Sequence, residues 1–159
     1  MPEIDTTTAR AETIVKRYML GSLGVGLVPF PLVDMAALAG IQLKMLHSLA
    51  NLYELEFSSQ LGKSLIASLL GGGVPVSLSS QIARLAVHRI PVYGWVARLI
   101  SISLFGGAST YAIGKVFIQH FESGGTFLTF DPHQVRDYYA QQFEHGKEEV
   151  GKSFAGIKP

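Results

Sequence analysis

The sequence contains no cysteine among its 159 residues. That absence excludes a disulfide scaffold, a thiol nucleophile and a cysteine-based zinc site. The five histidines include no i,i+4 pair and no HExxH pattern, and the chain lacks a GxSxG nucleophile elbow. We therefore expect no catalytic residue, no metal and no cofactor, and an enzyme is the least favoured functional class.

Charge is scarce as well. Charged residues make up 16% of the chain, against about 25% in a typical soluble domain. Lys and Arg total 13 and Asp and Glu total 12, so the net charge is +1, without the basic excess of a nucleic-acid-binding protein. Hydrophobic residues reach 48%. This composition favours a membrane protein, so we expect a lipid bilayer as a partner and nucleic acid not to be one.

The few charges are concentrated at the two ends of the chain. Residues 1–17 carry six, residues 131–159 carry nine, and the 113 residues between them carry ten. Between Tyr18 and Leu43 the only charge is Asp34, and the runs 64–83 and 99–114 have none. We therefore divide the chain into a polar N-terminal helix start at 1–17, a membrane-embedded helical domain at 18–122, and a polar C-terminal helix and tail at 123–159.

Proline and glycine mark the ends of the predicted helices. Pro29 and Pro31 interrupt the first apolar run, and Pro31 suits the first turn of the next helix. Asp131 followed by Pro132 has the pattern of a capped helix start. We predict helices near residues 6–28, 31–57, 58–70, 77–90, 95–122 and 131–145, an extended segment at 126–130 and a frayed tail from residue 146.

The apolar runs form three similar units, each with two arms around a Pro/Gly tip. The tips lie at 28–31, 71–75 and 105–109, and every pair of arms ends in Lys or Arg. Arms of this length are too short to cross a hydrocarbon core about 30 Å thick, which favours re-entrant hairpins, although helices extended past the basic residues could cross fully. The predicted fold is all-α, with membrane-embedded helical hairpins and a polar C-terminal helix. The positive-inside rule then predicts cytoplasmic termini, and a homo-oligomer would surround the tips.

Several of these residues also form a recognisable pattern. The segment 28–34 (VPFPLVD), followed by Gln42, Met45 and Tyr53, resembles the PxPxxD…QxxM…Y signature of the YcjF-like family. The segments 90–94, 108–114 and 121–125 are similar to the second half of that pattern, so the resemblance covers about residues 10–145. It implies a bacterial membrane protein of unknown function, at the cytoplasmic (inner) membrane, often fused to or encoded beside a GTPase domain. Because this chain has no GTPase domain of its own, a GTPase partner would be a separate protein.

Asp34 is the candidate for an ion pathway. An ionisable group at membrane depth is a functional candidate, and Ser22 and Gln42 would be its polar neighbours. The structural alternative is that Asp34, three residues after Pro31, interacts favourably with the positive end of the helix dipole in the first turn. Gln42 can also hydrogen-bond between helices.

Two glycine patterns also invite interpretation. Gly106, Thr110 and Gly114 share one stripe of a predicted helix, where small residues allow close helix packing. Residues 146–153 match GxxxxGK[ST] formally, but no strand precedes them as a P-loop requires, so we reject a nucleotide site there.

These features lead to one principal hypothesis and two alternatives. The principal hypothesis is a non-enzymatic, self-associating membrane scaffold or anchor that presents the polar helix at 131–145 to a GTPase or another membrane complex. The first alternative is an ion channel or transporter subunit that uses Asp34. The second is a soluble helical interaction domain with an unusually apolar core.

Overall fold

The computed structural model describes residues 2–27, 31–73 and 93–156, with side-chain packing for 6–25, 35–71 and 101–156. The described residues are helical and contain no strand, which confirms the all-α prediction at this level. The helices are α1 (Pro2–Leu23), followed by a short 3-10 turn (Gly24–Leu27), α2 (Pro31–Leu52), α3 (Ser59–Gly73), α4 (Tyr93–Glu122) and α5 (Arg136–Ala155). The helix predicted at 77–90 and the residue Pro29 lie outside the described residues.

Helix α4 is the central element, and every residue from Gly106 to Gly114 is buried. Two hydrogen bonds hold the ends of α1 against α4. The Thr8 hydroxyl donates to the Glu122 carboxylate at 2.6 Å, and the Ser103 hydroxyl donates to the Leu23 carbonyl at 2.9 Å. Helix α1 is therefore antiparallel to α4, and α2, which follows after a reversal, runs parallel to α4. Helix α5 returns along α4, with Val150 close to Gly107.

Helix boundaries follow the proline and glycine signals in three places. Helix α2 begins at Pro31, α3 ends at Gly73, and Gly124, with φ of 84°, follows the end of α4. At Gly124 and Gly125 the backbone N–H groups bond back to Phe121 and His120 carbonyls, which satisfies the last turn of α4. Helix α2 stops before the predicted residue 57, because Glu54 adopts a positive φ and turns the chain.

The third predicted hairpin tip, at 105–109, is wrong. These residues lie inside the continuous helix α4. A Cβ added to Gly107 would lie 2.6 Å from Val150 Cγ2 and 2.8 Å from Leu23 Cδ2. Glycine is needed here because two neighbouring helices approach α4 closely, and its presence does not break the helix.

The predictions for the C-terminal region also need correction. Residues 127–129 form a turn and not an extended segment. Asp131 Oδ1 accepts a hydrogen bond from the His133 backbone N–H at 2.9 Å, which makes a local turn before α5 begins at Arg136. The tail predicted to fray from residue 146 is helical as far as Ala155, because Gly146 packs directly on the α4 backbone at Ala108.

An aromatic cluster packs at the C-terminal end of α4. The Phe117 and Phe130 rings stack with centroids 4.4 Å apart, and Phe127 contacts Phe117, Phe121 and Phe57. Phe117 is fully buried, and burying such a side chain stabilises a fold by about 1.5–3 kcal/mol. The cluster therefore fixes the 124–135 connection, and with it the start of α5, against α4.

Within the part of the chain that the structure describes, no helix combines the length and the apolar character required to cross a membrane.

Candidate functional site

At one end of helices α1, α2 and α3, none of the exposed side chains that the structure describes carries a charge. This end comprises the last turns of α1, the first turns of α2 and the last turns of α3, and we name it the uncharged end. Leu20 and Met35 are 51% and 52% exposed there, although large apolar side chains are normally covered. The other exposed residues with described side chains in this region are Gly21, Gly24, Ala36, Gly40, Ala67, Ser68 and Gly71. The described side chains of this surface offer apolar contact and no charged group, whereas the side chain of Asp34, in the first turn of α2, lies outside the described part.

Three exposed basic residues border the uncharged end: Arg17 on α1, Lys44 on α2 and Lys63 on α3. We name them the basic belt. Tyr18, next to Arg17, has its hydroxyl 3.0 Å from Ser48 Oγ on α2. Gly62, next to Lys63, lies against Leu43 on α2. The belt therefore corresponds to the stretch 43–48 of α2, which spans about 8 Å along the helix axis.

Among the described residues, three lysines outside the belt form ion pairs, whereas the belt residues do not. Lys115 forms an ion pair with Glu12, Lys147 with Glu144 and Lys152 with Glu149. Arg17, Lys44 and Lys63 form no ion pair with another residue in the described ranges. Their positive charges are therefore available to an external anion.

The charges of the paired lysines are engaged by carboxylates within the bundle. Burial alone would lower the pKa of Lys115, but the hydrogen bond and the charge of Glu12 outweigh it, so that pKa is raised. The Lys115 ammonium also lies 5.9 Å from the Tyr111 ring centroid. The pKa of Glu149 is lowered, chiefly by its hydrogen bond from Lys152. These pairs link α1 to α4 and stabilise the exposed surface of α5.

At the opposite end of the bundle, Glu122 joins three helices. The Thr8 hydroxyl and the Tyr53 hydroxyl both donate to Glu122 Oε1, at 2.6 and 2.9 Å. Burial, followed by the hydrogen bond to Glu122, raises the pKa of Tyr53. Leu128 is 88% exposed in the turn after α4, but it stands among polar residues and no comparable apolar surface surrounds it.

A buried polar cluster joins α1, α2 and α4 next to the belt, and we name it the polar clasp. The Gln42 amide nitrogen donates to Ser109 Oγ at 3.1 Å and to Thr110 Oγ1 at 3.3 Å, and Thr110 Oγ1 lies 2.8 Å from Ser22 Oγ. Ser22 donates to the Tyr18 carbonyl and Ser109 to the Gly106 carbonyl. Every hydroxyl proton is thus used, and Gln42 Oε1 receives no donor from the described residues.

The structure brings together only some of the residues selected from the sequence. Gln42 and Thr110 meet in the clasp, and Gly106 faces the Ser22 carbonyl, which an added Cβ would approach to 3.3 Å. Gly114 lies against Val15 of α1, with an added Cβ 2.4 Å from Val15 Cγ2. Pro31 starts α2. Asp34 lies in the first turn of α2, about 12 Å before Gln42 along the helix, and its side chain lies outside the described part.

Sequence reasoning missed two close contacts of α4. Gly146 would place a Cβ 2.8 Å from the Ala108 carbonyl oxygen, and Ser103 donates to the Leu23 carbonyl at the end of α1. The only sequence signal at position 146 was that the residue is glycine, and we assigned that position to a frayed tail. Residues 146–153 are helical, so their backbone amides are engaged within α5 and form no phosphate loop.

Residues 4–148 match the sequence family described as a domain of unknown function, DUF697. The chain is also 42% identical over 142 residues to "Magnetosome membrane protein 22" of Magnetospirillum gryphiswaldense, which covers 89% of this chain and 73% of that protein. No solved structure matches this chain.

Proposed function

The chain belongs to the DUF697 family, and from this membership and its surface charge we propose that it is a membrane-associated helical scaffold. The similar protein from Magnetospirillum gryphiswaldense is called a membrane protein, which supports membrane association. We propose a bacterial cytoplasmic membrane as the location, in agreement with the YcjF-like resemblance of the sequence.

The observation that carries the proposal is the separation of apolar and charged surface. In our proposal the uncharged end enters the bilayer, and Leu20 and Met35 contact the acyl chains. The basic belt then lies at the membrane surface, where long basic side chains are favourable. The acidic end around Glu122 faces the cytoplasm, and so does the N-terminal start of α1, which Thr8 joins to Glu122.

The scaffolding role follows from what remains outside the bilayer. The first turns of α5 expose a polar face that is suited to a protein partner, and its exposed residues include Arg136, Asp137 and Glu144. We propose self-association, and a separate GTPase as a candidate partner, because the YcjF-like resemblance implies that association. We propose no catalytic activity for the chain.

Vesicle flotation with acidic substitutions tests membrane association. Leu20→Glu and Met35→Glu each remove an apolar contact and place a carboxylate at the bilayer, where charge is costly by a few kcal/mol. We expect each variant to bind phosphatidylcholine vesicles at least tenfold more weakly than the parent protein. Leu128→Glu is the matched control, because Leu128 is more exposed but lies at the opposite end, and it should bind like the parent.

Circular dichroism on the three variants checks that each keeps its helical content. If the parent protein fails to float, or if Leu128→Glu reduces binding as much as Met35→Glu does, the proposed orientation is wrong. Light scattering on the same preparation reports self-association, and a mass of 17.2 kDa would refute it. Co-flotation of an added purified GTPase tests that partner directly.

A further inference from the structure

We propose that the basic belt binds anionic lipid headgroups, so that the preferred partner of this protein is an anionic bilayer. This inference rests on the proposed membrane association, and it adds the lipid class and the residues that select it. The belt consists of Arg17, Lys44 and Lys63, one from each of the three helices that form the uncharged end.

The position of the belt fits a headgroup layer. Its three residues occupy a level about 8 Å deep along α2, which is comparable to one polar layer of a bilayer. The Tyr18–Ser48 and Gly62–Leu43 contacts hold α1 and α3 at that level against α2. A flat anionic surface that meets the uncharged end would therefore contact all three charges together.

The belt residues have no carboxylate partner within the described ranges. An external phosphate would therefore not have to displace an internal carboxylate there, as it would at Lys115, Lys147 or Lys152. Arg10, Lys16 and Arg136 also lack a carboxylate partner in these ranges, so the belt is distinguished by its position beside the uncharged end.

The apolar neighbour of the belt favours a membrane over an acidic protein. An acidic peptide would match the charges of Arg17, Lys44 and Lys63, but it would leave Leu20 and Met35 without apolar contact. An anionic bilayer provides a negative surface layer and an apolar layer in the same order as the protein does. Each basic residue near such a surface contributes about 1 kcal/mol, or roughly a fivefold gain in binding.

The test compares vesicles of phosphatidylcholine with vesicles of an equal mixture of phosphatidylcholine and phosphatidylglycerol. We expect the full chain to bind the mixed vesicles more tightly, and the triple variant Arg17→Gln, Lys44→Gln, Lys63→Gln to lose about 100-fold on them. Arg10→Gln is the control for removal of one charge. Arg10 is exposed on the same helix, about 10 Å closer to the acidic end, and it should change binding less than twofold by this reasoning.

The two lipid compositions separate failure of this inference from failure of the proposed function. Binding to both vesicle types with equal affinity, or a triple variant with parental affinity for the mixed vesicles, would overturn the headgroup role and leave membrane association intact. Absence of binding to either vesicle would overturn both proposals. In the expected result, the gain on mixed vesicles disappears near 1 M salt, where the Debye length is about 3 Å, while the binding to phosphatidylcholine alone persists.

Discussion

Substitution of Gly146 by alanine tests how α5 packs on α4. A Cβ at residue 146 would lie 2.8 Å from the Ala108 carbonyl oxygen and 2.9 Å from Ala108 Cα. Both atoms belong to the backbone of the central helix, so a side-chain rotation cannot relieve the contact. The two helices must separate by several tenths of an ångström to reach ordinary contact distances.

The expected change in stability is the difference between two opposing effects. Overpacking of this kind costs about 1–3 kcal/mol, and the backbone contact places Gly146→Ala in the upper part of that range. The higher helix propensity of alanine returns up to about 1 kcal/mol. We expect a net loss of about 1–2 kcal/mol in the free energy of unfolding.

Gly151 provides a control in the same helix. A Cβ at residue 151 would meet nothing within 4 Å, so Gly151→Ala gains helix propensity without overpacking. We expect it to raise the free energy of unfolding by up to about 1 kcal/mol. The two alanine substitutions should therefore have opposite signs, although the sequence presents both glycines alike.

Urea unfolding followed by far-UV circular dichroism measures both variants. With a slope of about 2 kcal/mol per molar urea, the midpoints of Gly146→Ala and Gly151→Ala should differ by about 1 M or more. A Gly146→Ala variant that is as stable as the parent would show that α5 does not rest on Ala108 as described. A loss for Gly151→Ala would contradict its open environment.

Two further predictions concern single groups of the core and their dependence on pH. The Tyr139 hydroxyl is buried without a described partner, so Tyr139→Phe should leave stability at neutral pH unchanged or raise it by about 1 kcal/mol, as chemical unfolding measures. Because burial raises the pKa of Tyr139 in the folded protein, the hydroxyl proton is lost first in the unfolded chain as the pH rises. The stability of Tyr139→Phe relative to the parent should therefore increase above pH 10. A stability difference that does not change with pH would contradict this. Lys115→Gln removes the pair with Glu12, whose side chains are partly exposed, and should cost about 1 kcal/mol. Because the pKa of Lys115 in the folded protein is raised above 10.5, the contribution of the Lys115–Glu12 pair to stability is complete below that pH and declines above it. The unfolding curves of the variant and the parent should therefore differ at pH 7 and converge at alkaline pH.

The sequence predicted the helix ends that depend on local chemistry. Pro31 and Gly124 act through their own backbone conformations, so their effect is visible without the rest of the fold. Gly107 and Gly146 could not be interpreted in the same way. A glycine that breaks a helix and a glycine that allows a second helix to approach look identical in sequence, and only the positions of Val150 and Ala108 distinguish them.

The candidate site was predictable in part for the same reason. The sequence already marked Arg17, Lys44 and Lys63 as basic flanks of apolar runs. Their common level depends on how α1 and α3 pack against α2, which no local pattern encodes. The stripe of Gly106, Thr110 and Gly114 was visible from helical periodicity. That its members meet different parts of α1 follows only from the antiparallel packing of α1 on α4.

The packing of α1 on α4 has a consequence for synthesis on the ribosome. Thr8 and Glu122 are 114 positions apart, and Glu12 and Lys115 are 103 apart. The part of α1 that packs on α4, at Val15 and Met19, therefore lacks its final cover while the first three helices leave the exit tunnel. A nascent chain must keep that part of α1 from aggregating until α4 emerges, and a product truncated before α4 would never bury it.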